Sequence, residues 1–423
     1  MPRFSSRWRS LARITLLVPL ALMADQRLDW SINFDAGLAA FNNGHYNDAI
    51  GILSSAFEQA RASGAVDLKV AETAYVLAMA YEFSADLGHA DSYYMRSESI
   101  AEAIGNKGQA LLAMTLSALG MLRVEQGRLD EAEAILTRAA SACQTARGRQ
   151  DLCTLTTMRH LGDLYAVEGR LNEAAGVLDR TVATARQVLP LQSPLLAGLL
   201  RSSANVYMQS EALDKAEPLL QEALNYARVA GETSPEYADT ILSLGRMYRL
   251  QHDTARAEPL VKKAIAIYEA SHDPLRSTAW DELGILSLID KKYTIARDLF
   301  VRALDFNRKT FGPNHITAAR AEADLAQAYA GERRYSEARS NIEAALATEC
   351  KLLGDTHFEV GRIHLIAAGI DTRLKRRDEA DRHYRAALTI FQNSSASRRS
   401  DLAAAEKEYR EFNKAYAPES GSR

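Results

Sequence analysis

Cys143, Cys153 and Cys350 are the cysteines of this 423-residue chain, and nine histidines are scattered through it. Cys143 and Cys153 flank one predicted loop, so the ends that carry them should lie close. Two readings stand: a disulfide, if the chain enters an oxidising compartment, or two small buried thiols. Cys350 has no evident partner in the sequence, and no cysteine pair has metal-ligand spacing. No two histidines stand at the i, i+4 spacing that a helical metal site needs. His315 and His357 stand at equivalent places in adjacent loops, which predicts a shared structural role rather than two ligands. The chain carries neither a phosphate-binding glycine loop nor a G-x-S-x-G turn. Catalysis is therefore not expected, and no cofactor or metal is implied.

The elements that must hold these residues repeat. Leu161, Gly162 and Tyr165 fall on one face of a short helix, Gly169 supplies a turn, and Ala174 and Leu178 fall at i and i+4 on a second helix. Taking Gly162 as the marker, equivalents stand at Gly37, Ala78, Gly120, Ala204, Gly245, Gly284, Ala326 and Ala368, spaced 39 to 42 residues apart. An alanine follows each marker by 12 residues, from Ala49 and Ala90 through Ala338 and Ala380. Nine helix pairs are predicted. A single amphipathic pair cannot bury its apolar faces alone and becomes stable when copies stack. The turn holds Gly44, Gly127 and Gly169 in three copies and a polar residue or Ala in the rest.

This pattern resembles the tetratricopeptide repeat family. The residues that carry the resemblance are Leu119-Gly120, Leu161-Gly162 with Tyr165, Leu244-Gly245 with Tyr248, the small residue of the second helix, and the bulky one four further on. The family's usual period is about 34 residues. The longer period here looks like the kinesin-light-chain type, as do the loops FGPNH at 311–315 and LGDTH at 353–357. The resemblance covers residues from about 30 to 392. Repeat 2, with Ala85 at its turn, and repeat 9, with Asp371 where Tyr is usual, depart most. It implies an all-α, right-handed α-solenoid of about nine repeats, closed by a C-terminal capping helix. It also implies that the first helix of each pair, helix A, lines a concave groove.

On that basis the exposed groove positions lie six and three before each marker, and one and four after it. Repeats 1 to 3 present Phe34, Leu38, Phe41, Tyr75, Met79, Met114, Met121 and Val124 there, a largely apolar set. Repeats 4 to 6 present Arg159, Asp163, Arg201, Asn205, Met208, Asp239, Arg246 and Arg249, and repeats 8 and 9 add Arg320, Gln327 and Arg362. Arginine forks can clamp a carboxylate through two bonds. Asn205, which matches the kinesin-light-chain pattern, can pair with the backbone of an extended peptide. The alternative is a helix face on which Arg and Asp of adjacent repeats pair with each other. The methionine stripe is an adaptable apolar surface, a face packed under the N-terminal segment, or core.

A net charge of −3 gives no basic field for nucleic acid or acidic lipid. Arg3, Arg7, Arg9 and Arg13 precede the apolar run 14–24. Residues 1–24 read as an export signal, with an uncleaved anchor or a leading helix as alternatives, and the run is short for a membrane span. The repeat array is predicted over 25–393, a linker and polar capping helix over 394–417, and a disordered tail over 418–423. The expected function is a non-catalytic scaffold that binds a protein or peptide. The alternative is a sensor or self-associating array acting with an effector on another chain.

Overall fold

The computed structural model describes residues 27–62, 67–84, 86–190, 193–271, 273–393 and 399–416. The export segment, the Ala85 turn, the start of the linker at Ser394 and the tail fall outside the described residues.

Among the described residues every element is a helix, and the helices come in the expected pairs. They are α1 (Arg27–Asn42) with α2 (Tyr46–Ala62), α3 (Leu68–Phe83) with α4 (Leu87–Ile104), and α5 (Gln109–Glu125) with α6 (Leu129–Arg147). Next come α7 (Leu152–Val167) with α8 (Leu171–Val188), α9 (Pro194–Gln209) with α10 (Leu213–Ala230), and α11 (Pro235–Leu250) with α12 (Thr254–Ala270). The last pairs are α13 (Arg276–Ile289) with α14 (Tyr293–Phe311), α15 (Ile316–Gly331) with α16 (Tyr335–Leu353), and α17 (Phe358–Arg373) with α18 (Arg377–Asn393). A single helix α19 (Arg399–Ala415) follows. The fold is an all-α solenoid of stacked helix pairs.

The marker position works by steric exclusion. A Cβ on Gly162 would lie 2.5 Å from Leu178 Cγ, and one on Gly120 would lie 2.6 Å from Leu136 Cγ. At Gly284 it would meet Phe300 at 2.5 Å. In each case the bulky residue stands 16 positions after the marker and is fully buried. The alanines 12 after the markers, Ala49, Ala132, Ala174 and Ala257 among them, are 0% exposed. Small side chains at these two places let helices A and B approach, and the bulky residue fills the space they leave.

The A-to-B turn requires a left-handed residue. Gly44, Gly127 and Gly169 supply it with φ of 79°, 73° and 76°. Where the sequence has no glycine, Glu211, His252, Lys291, Arg333 and Lys375 adopt φ of 58° to 63° at the same place. The next N–H then bonds back five residues, as in Arg170 to Tyr165 (2.8 Å), Asp253 to Tyr248 (2.8 Å) and Arg334 to Tyr329 (2.8 Å). That satisfies a helix-terminal carbonyl.

The chain forms two compact units, whose boundary runs through α7, α8 and α9. One holds the described residues to Leu164 with Gly176–Leu199, and the other holds Tyr165–Ala175 with Leu200 onward. The core of the first is built on Trp30, Phe41, Leu53, Phe57, Leu77 and Phe83. The second has a core of Leu220, Ile241, Leu244, Met247, Val261 and Tyr268, among others.

Candidate functional site

In the unit that begins at Leu200, charged side chains from successive A helices meet. Arg201 on α9 reaches forward to α11, where its guanidinium donates to Asp239 Oδ2 at 2.9 Å. Asp239 Oδ1 accepts a second bond from the Tyr268 hydroxyl at 2.6 Å. Burial, then the Asp239 charge, push the Tyr268 phenol well above its ordinary range, so it remains a donor. One repeat on, Arg246 Nε donates to Glu282 Oε2 on α13 at 3.1 Å, and Arg249 Nε donates to the other oxygen of Glu282. Asn205 donates its side-chain amide to the Arg201 carbonyl one turn earlier.

These positions are not the exposed ones that the repeat phase predicts. Arg201, Asn205 and Arg246 are 7%, 3% and 4% exposed. The reason is that the next A helix supplies a carboxylate, Asp239 to Arg201 and Glu282 to Arg246, that pairs with the arginine inside the stack. Arg249, at the end of its helix, stays half-buried.

The other unit holds a separate polar cluster, in which Arg159 and Asp163 on α7 are also buried, at 2% and 3% exposure. His160 Nδ1 lies 2.9 Å from Ser117 Oγ on α5, and its Nε2 lies 3.2 Å from the Arg159 guanidinium. Burial, then the Arg159 charge, hold the imidazole well below its usual pKa. A histidine held so far below its usual pKa is a weak base toward the serine. Ser117 also accepts from Thr157, whose hydroxyl lies 3.5 Å from Cys143 Sγ. Cys143 is joined to Cys153 by a disulfide, with Cα atoms 5.6 Å apart.

The apolar set goes largely into packing. Phe41, Met121 and Val124 are 4%, 3% and 7% exposed, and Met79 is half-buried against the first core. Met121 is therefore a core residue and not part of an open surface. His315 and His357 play the same structural part, since each caps the helix that follows by accepting from the backbone N–H two residues on. Glu282 and the Ser117–His160 contact were not visible in the sequence. Only the spacing of about one repeat between Arg246 and a later carboxylate hinted at the former. Among the described residues no group of three or more His, Cys, Asp or Glu side chains could hold a metal ion. No described helix is long and apolar enough to cross a membrane.

Residues 111–187, 195–270 and 275–350 match the tetratricopeptide repeat family, more than half of the chain. The chain belongs to that family. No curated protein sequence matches it. A crystal structure of a Rap protein complexed with Competence and Sporulation Factor is similar in fold. It shares 13% identity and a TM-score of 0.63, over 88% of this chain and 100% of that one. The apo form of RapI is similar at 12% identity and a TM-score of 0.50, over 86% of this chain and 97% of that one. BtubC (BKLC) from P. vanneervenii shares 22% identity and a TM-score of 0.46, over 54% of this chain and 92% of its own. As a tetratricopeptide repeat protein, this chain has the fold of a protein-interaction scaffold.

Proposed function

We propose that this tetratricopeptide repeat chain is a non-catalytic scaffold that binds an acidic peptide or partner helix along the A helices of repeats 5 to 7. One observation carries the reading. Arg201, Arg246 and Arg249 are set on consecutive A helices, and each holds a carboxylate of the next repeat. Arg201 and Arg246 are closed over, and Arg249, the least buried of the three, is where a partner carboxylate would meet this row. The Rap structure, in which a similar fold is complexed with Competence and Sporulation Factor, supports the class of activity. We also propose export. The basic start followed by an apolar run supports it, and a Cys143–Cys153 disulfide suits an oxidising compartment.

Arg201→Glu and Arg246→Glu are poor probes, because each would set a carboxylate against one already buried. Arg249→Gln is the better probe. Acidic peptides selected from a displayed library against the full chain should bind this variant about tenfold more weakly. That is the loss expected of one charge-assisted hydrogen bond. The helical circular-dichroism signal should be unchanged. Undiminished binding by a folded variant would remove this face from the proposal.

A further inference from the structure

Glu349 on α16 is 2% exposed, and its Oε2 atom has no hydrogen-bond partner among the described residues. A carboxylate so deeply buried would need donors to offset its lost hydration. Arg320 on α15 is the positive charge that acts on it most strongly, yet its buried Nη1 atom also makes no hydrogen bond among the described residues. Arg362 on α17 already leans on Glu359 at 3.5 Å.

The repeat itself says what belongs at this place. The loops after α14 and α16 are in register: Gly312 and Gly354 both have left-handed φ, 90° and 84°. His315 and His357 both cap the following helix. In that register the residue one repeat before Glu349 is Asn307, 1% exposed, whose side-chain amide donates to the Thr317 carbonyl at 3.1 Å. Thr317 corresponds to Glu359. An amide and a carboxylic acid have the same trigonal shape and can both donate to a carbonyl, whereas a carboxylate can only accept.

We propose that Glu349 is a protonated acid standing in for Asn307, donating to the first turn of α17, and that this makes the joint between repeats 8 and 9 loosen as the solution turns alkaline.

The charges around the group agree. Burial dominates and raises its pKa to about 8. Glu359 on α17 and Asp324 on α15 push the same way, against Arg320 on α15 and Arg362 on α17. The native acid keeps its proton up to about pH 8, while an unfolded chain releases it near 4.3. Stability should therefore fall as pH rises between those values and level off above.

The test is thermal unfolding of the full chain between pH 5 and 9, for the natural sequence, Glu349→Gln and Asn307→Asp. Glu349→Gln should melt with the natural chain at pH 5 and progressively above it towards pH 8. Asn307→Asp should import an alkaline loss of the same sign one repeat earlier. In infrared spectra at pH 7, a protonated-carboxyl band of the natural chain should be missing in Glu349→Gln. If Glu349→Gln melts lower at pH 7 to 8, or differs by the same amount at every pH, or leaves the band intact, Glu349 is an ionised partner of the arginines and the proposal fails.

Discussion

Three before the marker, repeats 1 and 2 have Phe34 and Tyr75, while repeat 5 has Arg201; one after it, Leu38 and Met79 answer to Asn205 and Arg246. In the first unit these places join a ring cluster. Trp30 stacks on Phe34 at 5.1 Å between centroids, and Phe41 meets Phe83 edge-on at 5.2 Å. In the second unit the same places hold ion pairs between A helices, with Glu282 serving two arginines. The backbone is alike in both, because it depends on the small marker and the bulky residue 16 later. What the A helices show one another is free to vary, and the two solutions fail differently. Apolar packing loses stability in proportion to the atoms removed. A buried ion pair that loses one member strands the other.

That difference orders the tests. Glu282→Ala leaves the buried Arg246 and the half-buried Arg249 without their shared carboxylate and should cost about 3–5 kcal/mol. Urea unfolding measures it, and a cost below about 1 kcal/mol would mean that the pairs are not structural. Leu161→Ala, which empties a site 6% exposed in the first unit, should cost about 2–5 kcal/mol with little dependence on salt. Its salt series can be set directly beside that of the Arg–Glu pairs.

A third test concerns pH. His364 Nδ1 and His383 Nδ1 lie 2.8 Å apart between α17 and α18. Burial, then the neighbouring His383, lower the His364 pKa to about 4, against the pull of Asp355. The unfolded imidazole protonates near 6.5, so stability should be lost as pH falls from about 6.5 towards 4. In His364→Gln melting curves that acid loss should shrink. The smallest effect belongs to the turns. Lys291→Gly and Arg333→Gly relieve left-handed φ of 58° and 63°. Each should gain about 1 kcal/mol, raising the melting temperature where Gly169→Ala lowers it.

The repeat was legible because its demands are steric and periodic. Gly162 and Ala174 cannot be large in any copy, so the period survives divergence elsewhere. The non-glycine turns were not legible: nothing in the residue types of Glu211 or Lys291 announces a positive φ. Nor was the burial of Arg201 and Arg246. It depends on which side chain the next repeat offers some 36 to 38 residues on, and Asp239 and Glu282 do not share one phase. A phase argument places a side chain on a face; it does not say what covers that face.

Hydrogen exchange of the full chain, free and with a selected acidic peptide bound, tests the functional claim most directly. New protection is expected in α9, α11 and α13, centred on Arg249, with α10, α12 and α14 little changed. Protection confined to the second helices of the pairs would contradict it.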